Sequence, residues 1–123
     1  MHIMLVDDDE DFREVLGTVL GMQGHEVEEA GDGVDALARL SAGRIPKLIL
    51  LDMMMPRMDG EAFIRNVRRD PRVASIPVVI LSGHQAAAQK AAQLGAAGCL
   101  VKPIELSHLS SLVDDIEARQ QPH

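Results

Sequence analysis

The run Leu48-Ile49-Leu50-Leu51, ended at once by Asp52, constrains this chain more than any other feature. Four consecutive bulky aliphatic residues leave no polar face for water. A strand of this kind must be covered on both sides, the condition of a parallel sheet packed between helices. Two further runs match it: Ile3-Met4-Leu5-Val6 and, introduced by Pro77, Val78-Val79-Ile80-Leu81. Two weaker segments complete the set. His25 to Ala30 carries glutamates at 26, 28 and 29, which suits a sheet edge. Cys99-Leu100-Val101 reads as a short last strand.

Helical patterns fill the intervals. Phe12, Val15, Leu16, Val19 and Leu20 share one helical face, closed by Gly21 and Gly24. Val34, Leu37 and Ala38 mark a second helix ending near Gly43, and Phe63, Ile64 and Val67 a third, closed before Pro71. An alanine-rich helix is expected from about Gln85 to Leu94, stopping at Gly95. After Pro103, residues Leu109, Leu112, Val113 and Ile116 line the last. The order is β-α five times over, an α/β fold with helices on both faces of a parallel sheet. The five units share no sequence, so this is no tandem repeat. We expect one domain over 1–119 and a polar tail over 120–123.

Composition narrows the function. The net charge of −7 and the scattered arginines exclude the basic stripe of a nucleic-acid binder. No apolar stretch is long enough to span a bilayer, and the opening carries no signal-peptide pattern. The single cysteine, Cys99, forms no internal disulfide, which fits a reducing, cytoplasmic setting.

In an open parallel sheet, ligands bind beyond the carboxyl ends of the strands. Asp7, Asp8 and Asp9 follow the first strand, Asp52 the third, Ser82 the fourth and Lys102 the last; the second ends in no comparable group. Any one of these reads as a solvated cap, a turn or a surface lysine, and Asp9 or Glu10 is expected to cap the first helix. Together they bring carboxylates, a hydroxyl and an ammonium to one edge. Converging carboxylates repel unless a positive charge joins them, and Mg²⁺ favours one or two carboxylates with phosphate oxygens and water. An aspartate can act as a nucleophile toward a phosphoryl group, with the cation and Lys102 neutralising charge as it transfers.

At this point the sequence resembles the receiver domain of bacterial two-component response regulators, over essentially its whole length. The resemblance is carried by Ile3-Met4-Leu5-Val6-Asp7-Asp8, by Asp52-Met53-Met54-Met55-Pro56 with Met58-Asp59-Gly60, by Leu81-Ser82-Gly83 and by Val101-Lys102-Pro103. It implies a flavodoxin-like (βα)5 three-layer sandwich of strand order 2-1-3-4-5. It implies Asp52 as phosphoacceptor, and Asp7, Asp8, Asp52 and the Met54 backbone carbonyl as the ligands of Mg²⁺, with Mn²⁺ as a substitute. Ser82 would move to meet the phosphoryl group and Lys102 would pair with it, ahead of a cis Lys102-Pro103 bond. The donor would be a histidine kinase or a histidine phosphotransfer protein. The domain is not an enzyme acting on others, though it would catalyse its own phosphorylation and dephosphorylation. Its output would pass to a downstream protein that the sequence does not name, with no direct contact to nucleic acid or membrane.

The chain departs from the family at Cys99, where receivers usually carry Tyr or Phe; the bland reading is a small buried apolar residue. Met54 and His84 flank the path of the hydrolytic water in the family. Met54 would shield the acyl phosphate; His84 is either a proton carrier or a polar residue opening the fourth helix. Of the methionine cluster, Met53 and Met55 are expected to pack locally, with Met54 and Met58 partly exposed. His2, His25, His108 and His123 show no ligand-like spacing.

Two rival functions remain. A phosphatase of the haloacid dehalogenase type would place its nucleophile at Asp7, but Glu10-Asp11 stands where that family has a Gly-Thr pair. A receiver-fold interaction module working without phosphorylation would have no need of the acidic set.

Overall fold

The computed structural model describes residues 1–84 and 87–120. Its elements alternate as expected: β1 (His2–Val6), α1 (Glu10–Met22), β2 (Glu26–Ala30), α2 (Gly33–Ala42), β3 (Leu48–Asp52), α3 (Gly60–Arg69), β4 (Val78–Ser82), α4 (Ala87–Gln93), β5 (Gly98–Val101) and α5 (Leu106–Gln120). All pairings are parallel and the strand order is β2-β1-β3-β4-β5. The proposed start of the fourth helix at Gln85 lies outside the described residues, as do tail residues 121–123. Gln120, expected in that tail, ends α5, and its side-chain amide donates to the Lys47 carbonyl at 2.7 Å.

The continuous apolar strands work because their alternate residues feed two separate cores. Met4, Val6, Ile49, Leu51, Val78 and Ile80 point to one face, against Leu40, Phe63, Ile64 and Val67 of α2 and α3. Ile3, Leu5, Leu48, Leu50, Val79 and Leu81 point to the other, against Leu16, Leu20, Leu109, Val113 and Ile116 of α1 and α5. The result is three layers. β3 and β4 are buried along their whole length, whereas β2 and β5 are half-exposed edges. Three residues expected on the apolar stripes of the helices are exposed instead: Val15 at 59% on α1, and Val34 at 43% and Ala38 on α2, whose buried face is Gly33, Ala36 and Leu40. The stripe of α1 is narrower than its apolar residues suggest, because Leu16 and Leu20 face the sheet and Val15 turns to the outer side.

Three helix starts are fixed by aspartates. The carboxylates of Asp9, Asp32 and Asp59 accept from the amides of Phe12, Asp35 and Ala62 at 3.1, 2.8 and 2.9 Å. These caps set the first turns of α1, α2 and α3 at the carboxyl edge of the sheet.

A candidate phosphoacceptor and metal site at the carboxyl edge

Asp52 is the last residue of β3, so the core that buries the strand also carries its carboxylate to the edge of the pocket; it is 5% exposed. Asp7 follows β1 and is fully buried, while Asp8 is exposed. One carboxylate oxygen from each of Asp7, Asp8 and Asp52 lies within 4.8 Å of the others. An all-oxygen set of this spacing suits a hard divalent cation. Lys102 Nζ is the one side-chain cation paired with the set among the described residues, 2.9 Å from Asp7 Oδ2 and 3.9 Å from Asp52 Oδ1.

The electrostatics of Asp52 point the same way. Burial pushes the Asp52 carboxyl up to about 6, and the charges of Asp7 and Asp8 push the same way. The Met54 amide, donating to Asp52 Oδ1 at 3.2 Å, and the Lys102 ammonium oppose them and lose. The pocket holds a carboxylate that a cation would restore to full ionisation.

The loops are held from several sides. The Asp9 amide donates to Asp7 Oδ1 at 2.9 Å, and the Arg13 guanidinium donates to the Asp7 carbonyl at 2.6 Å while pairing with Glu29 at 3.2 Å. At the other end of the β3–α3 loop, Gly60 donates its amide to the Met53 carbonyl at 3.1 Å. A Cβ on Gly60 would stand 2.6 Å from Met53 Sδ and 2.8 Å from Met53 Cα, so only glycine lets α3 start against the backbone that carries Asp52. Ser82 ends β4, beside Asp52 in the sheet, since Asp52 registers with Leu81. Its hydroxyl accepts from the His84 amide at 3.1 Å, a bond within its own loop. The Lys102 amide donates to the Ser82 carbonyl at 2.6 Å, and the Lys102-Pro103 bond is cis.

The structure thus brings Asp7, Asp8, Asp52 and Lys102 together, with Ser82 on the adjoining strand end. Of the methionines, Met53, Met55 and also Met58 pack against the core, while Met54 is 68% exposed. Cys99 is half-buried against the α4-side core, and burial raises its thiol pKa, which leaves it a small packing residue.

Sequence reading missed three features. Phe12 lies under Lys102, whose Nζ is 4.4 Å from the ring centroid. The second strand does end in a buried carboxylate: Asp32 accepts from Arg57 Nε at 2.9 Å. The signal was there in Gly31-Asp32-Gly33, but the turn reading absorbed it. At the opposite end of the sheet, His25 meets Asp114 and Glu117 within 4.8 Å, a grouping that no spacing in the chain reveals. The Met1 ammonium lies between them, 3.0 Å from His25 Nδ1 and 3.5 Å from Glu117 Oε2, and offsets their negative charge.

Comparison with known proteins agrees with this layout. The chain is 35% identical to a transcriptional regulatory protein CpxR homolog of Haemophilus influenzae, over 95% of this chain and 50% of that protein. It is 36% identical to the response regulator MprA of Mycobacterium avium, over 99% of this chain and 53% of that protein. The chain therefore spans about half the length of these relatives. Among solved structures, chemotaxis protein CheY4 of Vibrio cholerae superposes with a TM-score of 0.85 at 31% identity, covering 94% of this chain and 97% of that one. A receiver domain of a signal transduction histidine kinase from Syntrophus aciditrophicus gives 0.88 at 29%, covering 99% and 93%. Residues 3–114 match the family model described as the response regulator receiver domain, a span that contains every group converging on Asp52, and the chain belongs to that family.

Proposed function

We propose that the chain is a phosphorylation-dependent signalling switch that takes a phosphoryl group from a phosphohistidine donor onto Asp52. The observation that carries this reading is the under-neutralised carboxylate at the end of the buried central strand, with two more carboxylates within 4.8 Å and one ammonium at 3.9 Å. Asp52 is better placed for attack than Asp7. Asp7 is fully buried and already engaged by the Asp9 amide and Lys102, which speaks against the phosphatase reading.

Asp7, Asp8, Asp52 and the Met54 carbonyl would hold Mg²⁺, or Mn²⁺ in its place. When bound, the cation supplies charge neutralisation for the carboxylates and the phosphoryl oxygens. The rest falls to the chain's own groups. An Asp52 carboxylate oxygen attacks phosphorus, and the P–N bond pair returns to the donor imidazole, which takes up a proton. Lys102, already in reach, turns from Asp52 toward a phosphoryl oxygen. Ser82 gives up its loop bond to the His84 amide and donates its hydroxyl to another. A water on the same acyl phosphate reverses the modification, so the domain catalyses both its own phosphorylation and its dephosphorylation. His84 is exposed on that loop, as suits either a polar residue ahead of the fourth helix or a proton carrier. The unit, expected over 1–119 and carried by α5 to Gln120, works in the cytoplasm and pairs with a histidine kinase or a histidine phosphotransfer protein. The downstream partner is a protein.

Incubation with acetyl phosphate, with and without Mg²⁺, beside Asp52→Asn tests this by intact mass. The expected result is a single phosphoryl adduct that requires both Mg²⁺ and Asp52. No adduct, with beryllofluoride also failing to bind, leaves the unphosphorylated interaction module; an adduct persisting in the variant returns the phosphatase reading and Asp7.

A further inference from the structure

We infer that Phe12 is a positioning residue for Lys102: its ring is the platform on which the ammonium rests between Asp7 and Asp52. The inference builds on the receiver reading and adds to it a residue that neither the motifs nor the comparisons assign. Lys102 sits on the loop after β5, at the end of a flexible four-carbon stem with many rotamers. Two carboxylates and one aromatic face restrain its Nζ: Asp7 at 2.9 Å, Asp52 at 3.9 Å and the Phe12 centroid at 4.4 Å. Phosphoryl transfer removes the first two restraints. A cation drawn to Asp7 and Asp52 would compete with Lys102 for the same oxygens, and Asp52 becomes a mixed anhydride, an acyl phosphate whose bridging oxygen no longer carries the carboxylate charge. The ring loses nothing in the exchange. Its attraction for an ammonium is broad in direction, so Nζ can slide across the face toward a phosphoryl oxygen without being released to water.

The ring is itself well fixed. Phe12 lies in the first turn of α1, and its amide is bound to the capping carboxylate of Asp9 at 3.1 Å. Its side chain packs against the core that α1 shares with α5. The Asp7-Asp8-Asp9 loop thus governs both sides of the pocket: it supplies carboxylates and, through the Asp9 cap, sets the angle of the ring under the lysine. Phe12 is one of two aromatic residues in the chain, and the other, Phe63, is buried in the opposite core.

The test uses Phe12→Leu and Phe12→Tyr, each alone and in a Lys102→Ala background. In the metal-free wild type the ring should shift the Lys102 ε-methylene protons upfield; Phe12→Leu should lose that shift and Phe12→Tyr keep it, with the remaining spectrum showing an intact fold. At saturating Mg²⁺, Phe12→Leu should form the acetyl phosphate adduct about three- to ten-fold more slowly, and Phe12→Tyr at close to the wild-type rate. In the Lys102→Ala background, Phe12→Leu should cost nothing further, because the ring acts through the lysine. A wild-type rate in Phe12→Leu overturns the inference, as does Phe12→Tyr matching the slow variant or an additive loss in the double variant. A wild type that forms no adduct overturns the receiver reading itself, and the positioning role falls with it.

Discussion

Of the three buried aspartates at the carboxyl edge of the sheet, Asp32 and Asp52 are treated in opposite ways. Asp32, just after β2, is paired with Arg57 and accepts the Asp35 amide at 2.8 Å. The Asp35 amide and the Arg57 guanidinium hold its carboxyl below the ordinary range. Asp52, the last residue of β3, is as buried but pushed up to about 6. Asp32 has a full complement of donors and stabilises its loops; Asp52 has one amide and a lysine at the edge of salt-bridge range. A folded chain ordinarily satisfies the charges it buries. Where it satisfies one and leaves its neighbour short, the unsatisfied one is the candidate for binding something. The satisfied pair still has a local cost: Arg57 reaches Asp32 from a backbone with φ of 66°, a left-handed conformation that non-glycine residues adopt rarely. It ties the β3–α3 loop, which carries Met54, to the β2–α2 turn.

The largest expected effect separates the two by chemistry. Asp32→Asn should keep the Mg²⁺-dependent phosphoryl adduct, while Asp52→Asn loses it entirely, read by intact mass on the same day under the same conditions. Loss of the adduct in Asp32→Asn, with the fold intact, would place Asp32 inside the reacting set and end the division drawn here.

Next comes stability without metal. Asp32→Asn removes a charge-assisted pair and leaves Arg57 unpartnered in a strained backbone, so it should lower unfolding free energy by about 1–2 kcal/mol in EDTA at pH 7. Asp52→Asn should do the reverse and raise it, by no more than about 3 kcal/mol, because it removes an ionised carboxylate from a site that disfavours it. Urea unfolding measures both. Two variants moving in the same direction would break the comparison.

The fold was legible because the signals were redundant. Four-residue apolar runs at three strands, glycines or prolines at helix ends and a helical stripe between each pair all pointed to one architecture. The site was legible because strand ends are predictable from runs of this kind, and Asp7, Asp52, Ser82 and Lys102 each stand one residue beyond the run or at its end. What escaped was set by side-chain direction. Val15 and Leu16 are adjacent, and only packing decides which faces the sheet. Phe12 read as one more member of an apolar stripe, though its ring ends under Lys102. Asp32 resembled any turn aspartate, since its partner Arg57 lies 25 residues away in a loop whose path no periodicity describes.

The smallest effect is also the most specific, because its sign differs between the two aspartates. The folded-state pKa of Asp52 is raised, so between about pH 4 and 6 the metal-free native state binds more protons than the unfolded chain. Its contribution to stability is fully present below about pH 4 and is lost as pH rises through about 6. Asp32 is depressed, so its contribution is present above the ordinary carboxylate pKa and is lost as pH falls below it. Other carboxylates titrate over the same range, so the measurement is a difference. In EDTA, the stability of wild type minus Asp52→Asn should decline between pH 4 and 6 and then level off, while wild type minus Asp32→Asn should be flat there and fall only in stronger acid. Saturating Mg²⁺ should reverse the first difference near pH 7, because the cation stabilises the folded state that holds it and Asp52→Asn holds it less well. If the wild-type advantage fails to appear with Mg²⁺, the charge left short at Asp52 is answered by some other group, and the contrast with Asp32 does not mark a binding site.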